Sequence, residues 1–161
     1  QRQMCIRDRS NTPVSFLKYW ENEAATREKV KNGWLHTGDF AYKDEEGYFY
    51  FKGREDDIIN TSGYRVGPSE VEDAILSHPE VSMVAVIGVP DKLRGQIIKA
   101  FIVTGDQKNV LTQNDKLKQS IQNHVKLRLA AHEYPRLIEF VYELPLTTTG
   151  KIIRKDLREN N

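Results

Sequence analysis

Residues 53–72 of this chain read G-R-E-D-D-I-I-N-T-S-G-Y-R-V-G-P-S-E-V-E. Arginines, carboxylates and glycines crowd around one short apolar pair, Ile58 and Ile59, a mixture that does not suit a core. Asp56, Asp57 and Asn60 flank that pair. Thr61, Ser62 and Gly63 then supply turn chemistry, in which Gly63 can take positive φ or let a ligand approach the backbone. Tyr64 and Arg65 follow at once. Gly67, Pro68 and Ser69 start a helix with Pro68 near its first position, and Val71, Ala74 and Ile75 form an apolar stripe at helical spacing. The segment reads as strand, exposed loop, helix.

Downstream, residues 81–89 (V-S-M-V-A-V-I-G-V) and 97–103 (I-I-K-A-F-I-V) are β-branched strands separated by the P-D-K-L-R-G turn at 90–95. Residues 112–129 have Leu117, Ile121 and Val125 on one helical face, with Thr112 and Asp115 as a capping-box-like start. Residues 136–144 give another strand, and L-P-L-T-T-T-G-K at 144–151 is a polar loop leading into a short basic helix. Helix and strand interleave without regular βαβ alternation. The fold class expected is therefore α+β, with a mixed or antiparallel sheet flanked by helices.

Upstream, the apolar residues of 16–31 recur near helical spacing and Asn32-Gly33 supplies a stop. Residues 34–37, 40–43 and 48–51 read as short strands, the last aromatic, with a turn at 44–47, so a β-hairpin is expected here. Residues 1–10, Q-R-Q-M-C-I-R-D-R-S, show no periodicity and four charges, and are expected to be a non-native or disordered leader.

The whole chain has 161 residues, enough for one domain with a real core or for one domain and part of another. Its formal net charge of +1 implies neither a nucleic-acid footprint nor an acidic tail. A lone cysteine, Cys5, excludes an internal disulfide framework, and with His36, His78, His124 and His132 scattered along the chain no metal site is expected. No apolar run approaches the roughly 20 residues of a membrane span, and a cytoplasmic protein is the expectation.

Three strings in order carry a resemblance: W-L-H-T-G-D at 34–39, G-R-E-D with S-G-Y-R at 53–65, and P-L-T-T-T-G-K at 145–151. Together they resemble the motifs of the AMP-forming acyl-CoA synthetases, members of the adenylate-forming ligase superfamily, over about residues 16–158. The hinge-region variant is most similar to that of the medium-chain acyl-CoA synthetase branch, which implies a place in fatty acid metabolism. The resemblance implies that residues 11–55 end the large N-terminal AMP-binding domain, as a β-hairpin remnant, and that 56–161 are the small C-terminal domain.

Carried over residue by residue, the resemblance assigns Lys151 as the catalytic lysine of adenylation. An ammonium on a long stem behind a glycine hinge can bridge carboxylate, ribose and α-phosphate as charge shifts among them. Asp39 would accept both ribose hydroxyls, with Arg54 adding a hydrogen bond and Arg65 meeting nucleotide phosphate. Asp56 would be the interdomain hinge. Gly63, with Ser62 and Tyr64, would line the path of coenzyme A. The implied substrates are a carboxylic acid, ATP with Mg2+ held mainly by the large domain, and coenzyme A. The implied product of the chain alone is nothing, since the triphosphate loop, adenine pocket and acyl pocket lie upstream in the family. Two alternatives are a stand-alone binding module and an adenylation domain that loads a carrier protein.

Overall fold

The computed structural model describes residues 3–13 and 15–160. The chain separates into two compact units, Gln1–Asp56 and Asp57–Asn161.

In the first unit the elements run β1 (Gln3–Arg9), α1 (Glu23–Lys29), β2 (Val30–Lys31), β3 (Trp34–Lys43) and β4 (Phe49–Arg54). Strand β3 is central: β1 pairs along one edge and β2 and β4 along the other, all antiparallel. The expected hairpin is present, with one correction. Residues 34–37 and 40–43 are one continuous strand, kinked where Gly38 takes φ +79°. The strand-to-strand turn is closed by Asp44, whose Oδ1 accepts the Tyr48 amide at 2.8 Å. Helix α1 is shorter than the 16–31 stretch suggested. Asn22 starts it by accepting the Ala25 amide at 3.0 Å, and Leu17 and Trp20 lie outside it, strongly exposed.

Within the expected leader, regular structure is present rather than disorder. Residues 3–9 form β1, in antiparallel register with β3 from Gln3 opposite Tyr42 to Arg9 opposite Trp34. The charges that argued for disorder have a partner, since the guanidiniums of Arg7 and Arg9 lie 6.0 and 5.3 Å from the Trp34 ring centroid.

The second unit runs β5 (Ile59–Thr61), β6 (Tyr64–Val66), α2 (Pro68–Leu76), β7 (Val81–Asp91), β8 (Gly95–Thr104), α3 (Lys108–Thr112), α4 (Asp115–Lys126), β9 (Leu137–Phe140) and α5 (Arg154–Glu159). It is an α+β unit. Its sheet has the order β6-β5-β8-β7, and β9 joins β8 in parallel, so the sheet is mixed. Alternation along β7 explains the two layers. Val84 and Val86 face one way, into a core with Val71 and Ile75 of α2 and Ile121 and Val125 of α4. Ala85, Ile87 and Val89 face the other way, against Phe101, Leu144, Ile152 and Leu157, so α5 packs on the opposite side.

Pro68 does stand at the start of α2, where a missing amide is harmless. The single helix expected over 112–129 is instead α3 followed by α4. Gln113 takes φ +45° between them because its side-chain amide holds both backbone groups of Phe140, donating to its carbonyl at 2.9 Å and accepting from its amide at 3.1 Å. Asn114, rather than Thr112, caps α4 by accepting the Leu117 amide at 3.2 Å.

Candidate functional site

Asp39 and Arg54 are Cα partners across β3 and β4, so the register alone brings their side chains together. Arg54 Nη1 lies 3.3 Å from Asp39 Oδ1, its Nε lies 3.3 Å from Asp56 Oδ1, and Nη1 also reaches the Thr37 carbonyl at 3.4 Å. These are long, half-exposed contacts, of the kind that exchange for a ligand's hydroxyls without large loss. Gly38 is confined from two sides: a Cβ there would sit 3.1 Å from Lys29 Nζ and 3.2 Å from Arg54 Nη2. The Asp39 carboxylate is thus presented beside the Arg54 guanidinium at a strand kink. Thr37 Oγ1 holds the backbone of that kink by accepting the Asp39 amide at 3.1 Å.

Ser62 and Gly63 are the two central residues of the β5–β6 hairpin, between the paired Thr61 and Tyr64. Both have positive φ, +50° and +83°, as a type I′ connection requires. The hairpin is anchored by Ser62, whose amide donates to the Arg94 carbonyl at 3.0 Å, and by Asn60, whose amide donates to Gln96 Oε1 at 2.8 Å. Gly63 projects from the unit: a Cβ built on it would have no atom within 4 Å. Tyr64 is exposed and stacks on His132 with ring centroids 3.9 Å apart. Arg65 lies on the exposed side of β6, opposite Asn60.

Lys151 is exposed on a loop whose backbone is closed. The Ile153 amide donates to the Pro145 carbonyl at 2.8 Å, Thr147 to the Lys151 carbonyl at 2.8 Å, and Gly150 to the Thr147 carbonyl at 2.9 Å. Thr147 Oγ1 accepts the Lys151 amide at 3.0 Å and lies 3.0 Å from Thr149 Oγ1. Gly150, at φ +79°, makes the reversal. The threonines therefore have a structural use: they hold the backbone from which the exposed lysine side chain projects.

Several residues of consequence escaped the reading of the sequence. Glu72 of α2 is buried, accepts the Val86 amide at 2.9 Å, and receives Arg154 Nη2 at 2.8 and 2.7 Å on its two oxygens. Asp57 receives Arg158 Nη1 at 2.8 Å and lies 3.5 Å from Arg154 Nη1. The spacing of Arg154 and Arg158, one helical turn apart on α5, was the available signal. Gly88 is another: a Cβ there would meet Gln96 Oε1 and Ile59 Cγ2 at 3.0 Å, so the glycine makes room for the anchor of Asn60. Tyr134 and Pro135 are structural. Pro135 is fully buried, and the Tyr134 ring carries Lys126 Nζ 4.4 Å from its centroid.

Among the described residues no group of three or more His, Cys, Asp or Glu is placed to hold a metal ion, and no helix is long and apolar enough to cross a membrane.

The family model of the AMP-binding enzyme C-terminal domain matches residues 70–151. The human mitochondrial acyl-coenzyme A synthetase ACSM1 is 49% identical over 155 residues, which are 96% of this chain and 27% of that protein. The 4-hydroxybutyrate–CoA ligase 1 of Metallosphaera sedula is 48% identical over 91% of this chain and 26% of its own length. Among solved structures, that of the anthranilate CoA ligase AuaEII in complex with anthranoyl-AMP superposes with a TM-score of 0.78 at 40% identity, covering 92% of this chain and 28% of the ligase. The chain thus spans roughly a quarter of the length of these relatives. A mixed sheet with its hairpin turn, a lysine loop closed on itself and a family match over half the sequence lead to one conclusion: the chain belongs to the AMP-binding enzyme C-terminal domain family, and its relatives are acyl-CoA synthetases and ligases.

Proposed function

We propose that this chain is the C-terminal part of an ATP-dependent, AMP-forming acyl-CoA synthetase and is inactive by itself. In the first half-reaction a carboxylate attacks the α-phosphate of ATP, carried as its Mg2+ complex, and pyrophosphate leaves. In the second, the thiol of coenzyme A attacks the acyl-adenylate carbonyl, loses its proton, and AMP leaves. Lys151 serves the first step. Its ammonium offsets charge as it passes from carboxylate to pyrophosphate.

The observation that carries this reading is the closed loop 145–153, which spends four hydrogen bonds on presenting one exposed lysine. Asp39 receives the ribose hydroxyls and Arg54 adds a further bond. The support is their cross-strand pairing beside Gly38. Asp56 is assigned as the hinge because the division into units falls directly after it. Gly63, Ser62 and Tyr64 are assigned to the path of coenzyme A, and Arg65 to phosphate. The exposed Phe49, Tyr50 and Phe51 of β4 fit a surface that a larger AMP-binding domain would cover.

The acyl group is chosen elsewhere in the enzyme, in keeping with near-equal identity to a relative named for acyl groups in general and one named for 4-hydroxybutyrate. Membership of the medium-chain branch rests on the hinge-region string. A single cysteine accords with a reducing, cytoplasmic-type compartment.

The test is Lys151→Ala in an enzyme assembled with a large AMP-binding domain. Adenylate formation should fall by about 10²-fold or more, the scale of one lost preorganised charge contact. Thioester formation from supplied acyl-adenylate should be nearly intact. Equal loss in both steps would refute the role given to Lys151.

A further inference from the structure

Strand β7 is an edge of the second sheet, with β8 on one side only. Its outer amides need partners, and Glu72 supplies one by accepting from Val86 at 2.9 Å. The same carboxylate receives Arg154 Nη2 on both oxygens, at 2.8 and 2.7 Å. Glu72 belongs to α2, on one face of the sheet, and Arg154 opens α5, packed on the other. The ion pair is therefore a clamp around the sheet edge. Asp57 extends it, lying 3.5 Å from Arg154 and 2.8 Å from Arg158. The side chains of Glu72, Asp57 and Arg154 are 11, 13 and 20% exposed, low enough that water screens the pairs only weakly.

What this clamp holds is close at hand. Arg154 follows Lys151 by three residues, and the last bond closing the lysine loop, from the Ile153 amide to the Pro145 carbonyl, is made by the residue adjoining Arg154. α5 has six residues, too few to persist without an anchor, and no residue of it is fully buried. Leu157 packs on the second core cluster, and Arg154 and Arg158 tie the helix to Glu72 and Asp57.

We propose that Arg154, bridging Glu72 and Asp57, is the positioning residue that fixes the Lys151 loop, and that it couples that loop to the residue following Asp56. Arg154 touches no reacting atom; it acts through the backbone of 151–153. This inference rests on the role proposed for Lys151, and the two can fail separately.

The experiment has two arms. In the full 161-residue chain, amide hydrogen exchange is compared for wild type, Arg154→Gln and the milder Arg154→Lys, which keeps the charge but loses the planar fork. The amides of Thr147, Gly150, Lys151 and Ile153 should exchange about tenfold faster or more in Arg154→Lys, while those of residues 98–102 in β8 keep their protection. Unchanged loop exchange, or equal acceleration in β8, overturns the proposal. Should Arg154→Gln fail to fold with Glu72 left unpaired, Arg154→Lys still decides.

In the assembled enzyme, Arg154→Lys should slow adenylate formation by about tenfold, since a displacement of about 1 Å can cost up to about 10²-fold. Thioester formation from supplied acyl-adenylate should stay within about twofold of wild type. An equal fall in both half-reactions overturns the positioning role. If Lys151→Ala leaves adenylation untouched, the reading of Lys151 fails instead, and the exchange arm alone decides whether Arg154 fixes the loop.

Discussion

Gly63 admits a test in which conformation and bulk give different orders. Its φ is +83° and its neighbour Ser62 is at +50°, so any L side chain at 63 carries left-handed strain. No steric term adds to that within the unit, because a Cβ meets nothing within 4 Å. Gly63→Ala should therefore cost about 1–2 kcal/mol, the left-handed penalty alone, which lowers the melting temperature by about 4–8 °C per kcal/mol for a unit of this size. Gly63→Asn should cost less, since asparagine tolerates this region through local hydrogen bonds. Stability then ranks Gly, Asn, Ala, Leu. If instead the glycine keeps a path open for the thiol, thioester formation ranks by volume: Gly, Ala, Asn, Leu. The assays are thermal unfolding of the chain and, in the assembled enzyme, thioester formation from supplied acyl-adenylate, with pyrophosphate release as the control. Asn and Ala change places between the two rankings. Thioester rates that follow the stability order, with Gly63→Asn near wild type, would refute the steric assignment and leave Gly63 as a hairpin residue.

Two further outcomes concern the second unit. Asn114→Ala removes the cap of α4 and its bond to Asn109, and should lower stability by about 1 kcal/mol in a denaturant titration, with an unchanged slope. His124 is held below its ordinary pKa of 6.5 by burial, and then by the charges of Arg128 and His78, while its Nε2 lies 2.7 Å from Ser77 Oγ. The folded state thus disfavours the protonated ring: the contribution is fully present above pH 6.5 and is lost as pH falls from there towards the depressed value. His124→Gln should flatten the loss of stability on acidification from about pH 7 to 5, and an unaltered slope would contradict it.

How far the sequence could be read depended on whether the deciding interactions were local. The Ser62–Gly63 turn, the Pro68 helix start, the β-branched runs of β7 and β8 and the glycine-bounded lysine loop all depend on residues a few positions apart, and each was legible. The motif residues were legible as well, through their resemblance to a family. Elements settled by distant partners were not. Charges in residues 3–9 argued against structure until β3 offered both a backbone edge and Trp34. Gly38 fell in a break between two expected strands because nothing local shows that β1 and β4 hold a kinked strand together on both sides. α4 begins at Asn114 because Gln113 is drawn to Phe140, 27 residues away. The clamp joins Glu72 to Arg154 across 82 residues. Composition and periodicity therefore determined the α+β class and the turns, and resemblance to a family supplied the candidate residues. Only the tertiary structure decided which of those residues are held rigidly, because a buried carboxylate finds its arginine through sheet topology, which leaves no period in the sequence.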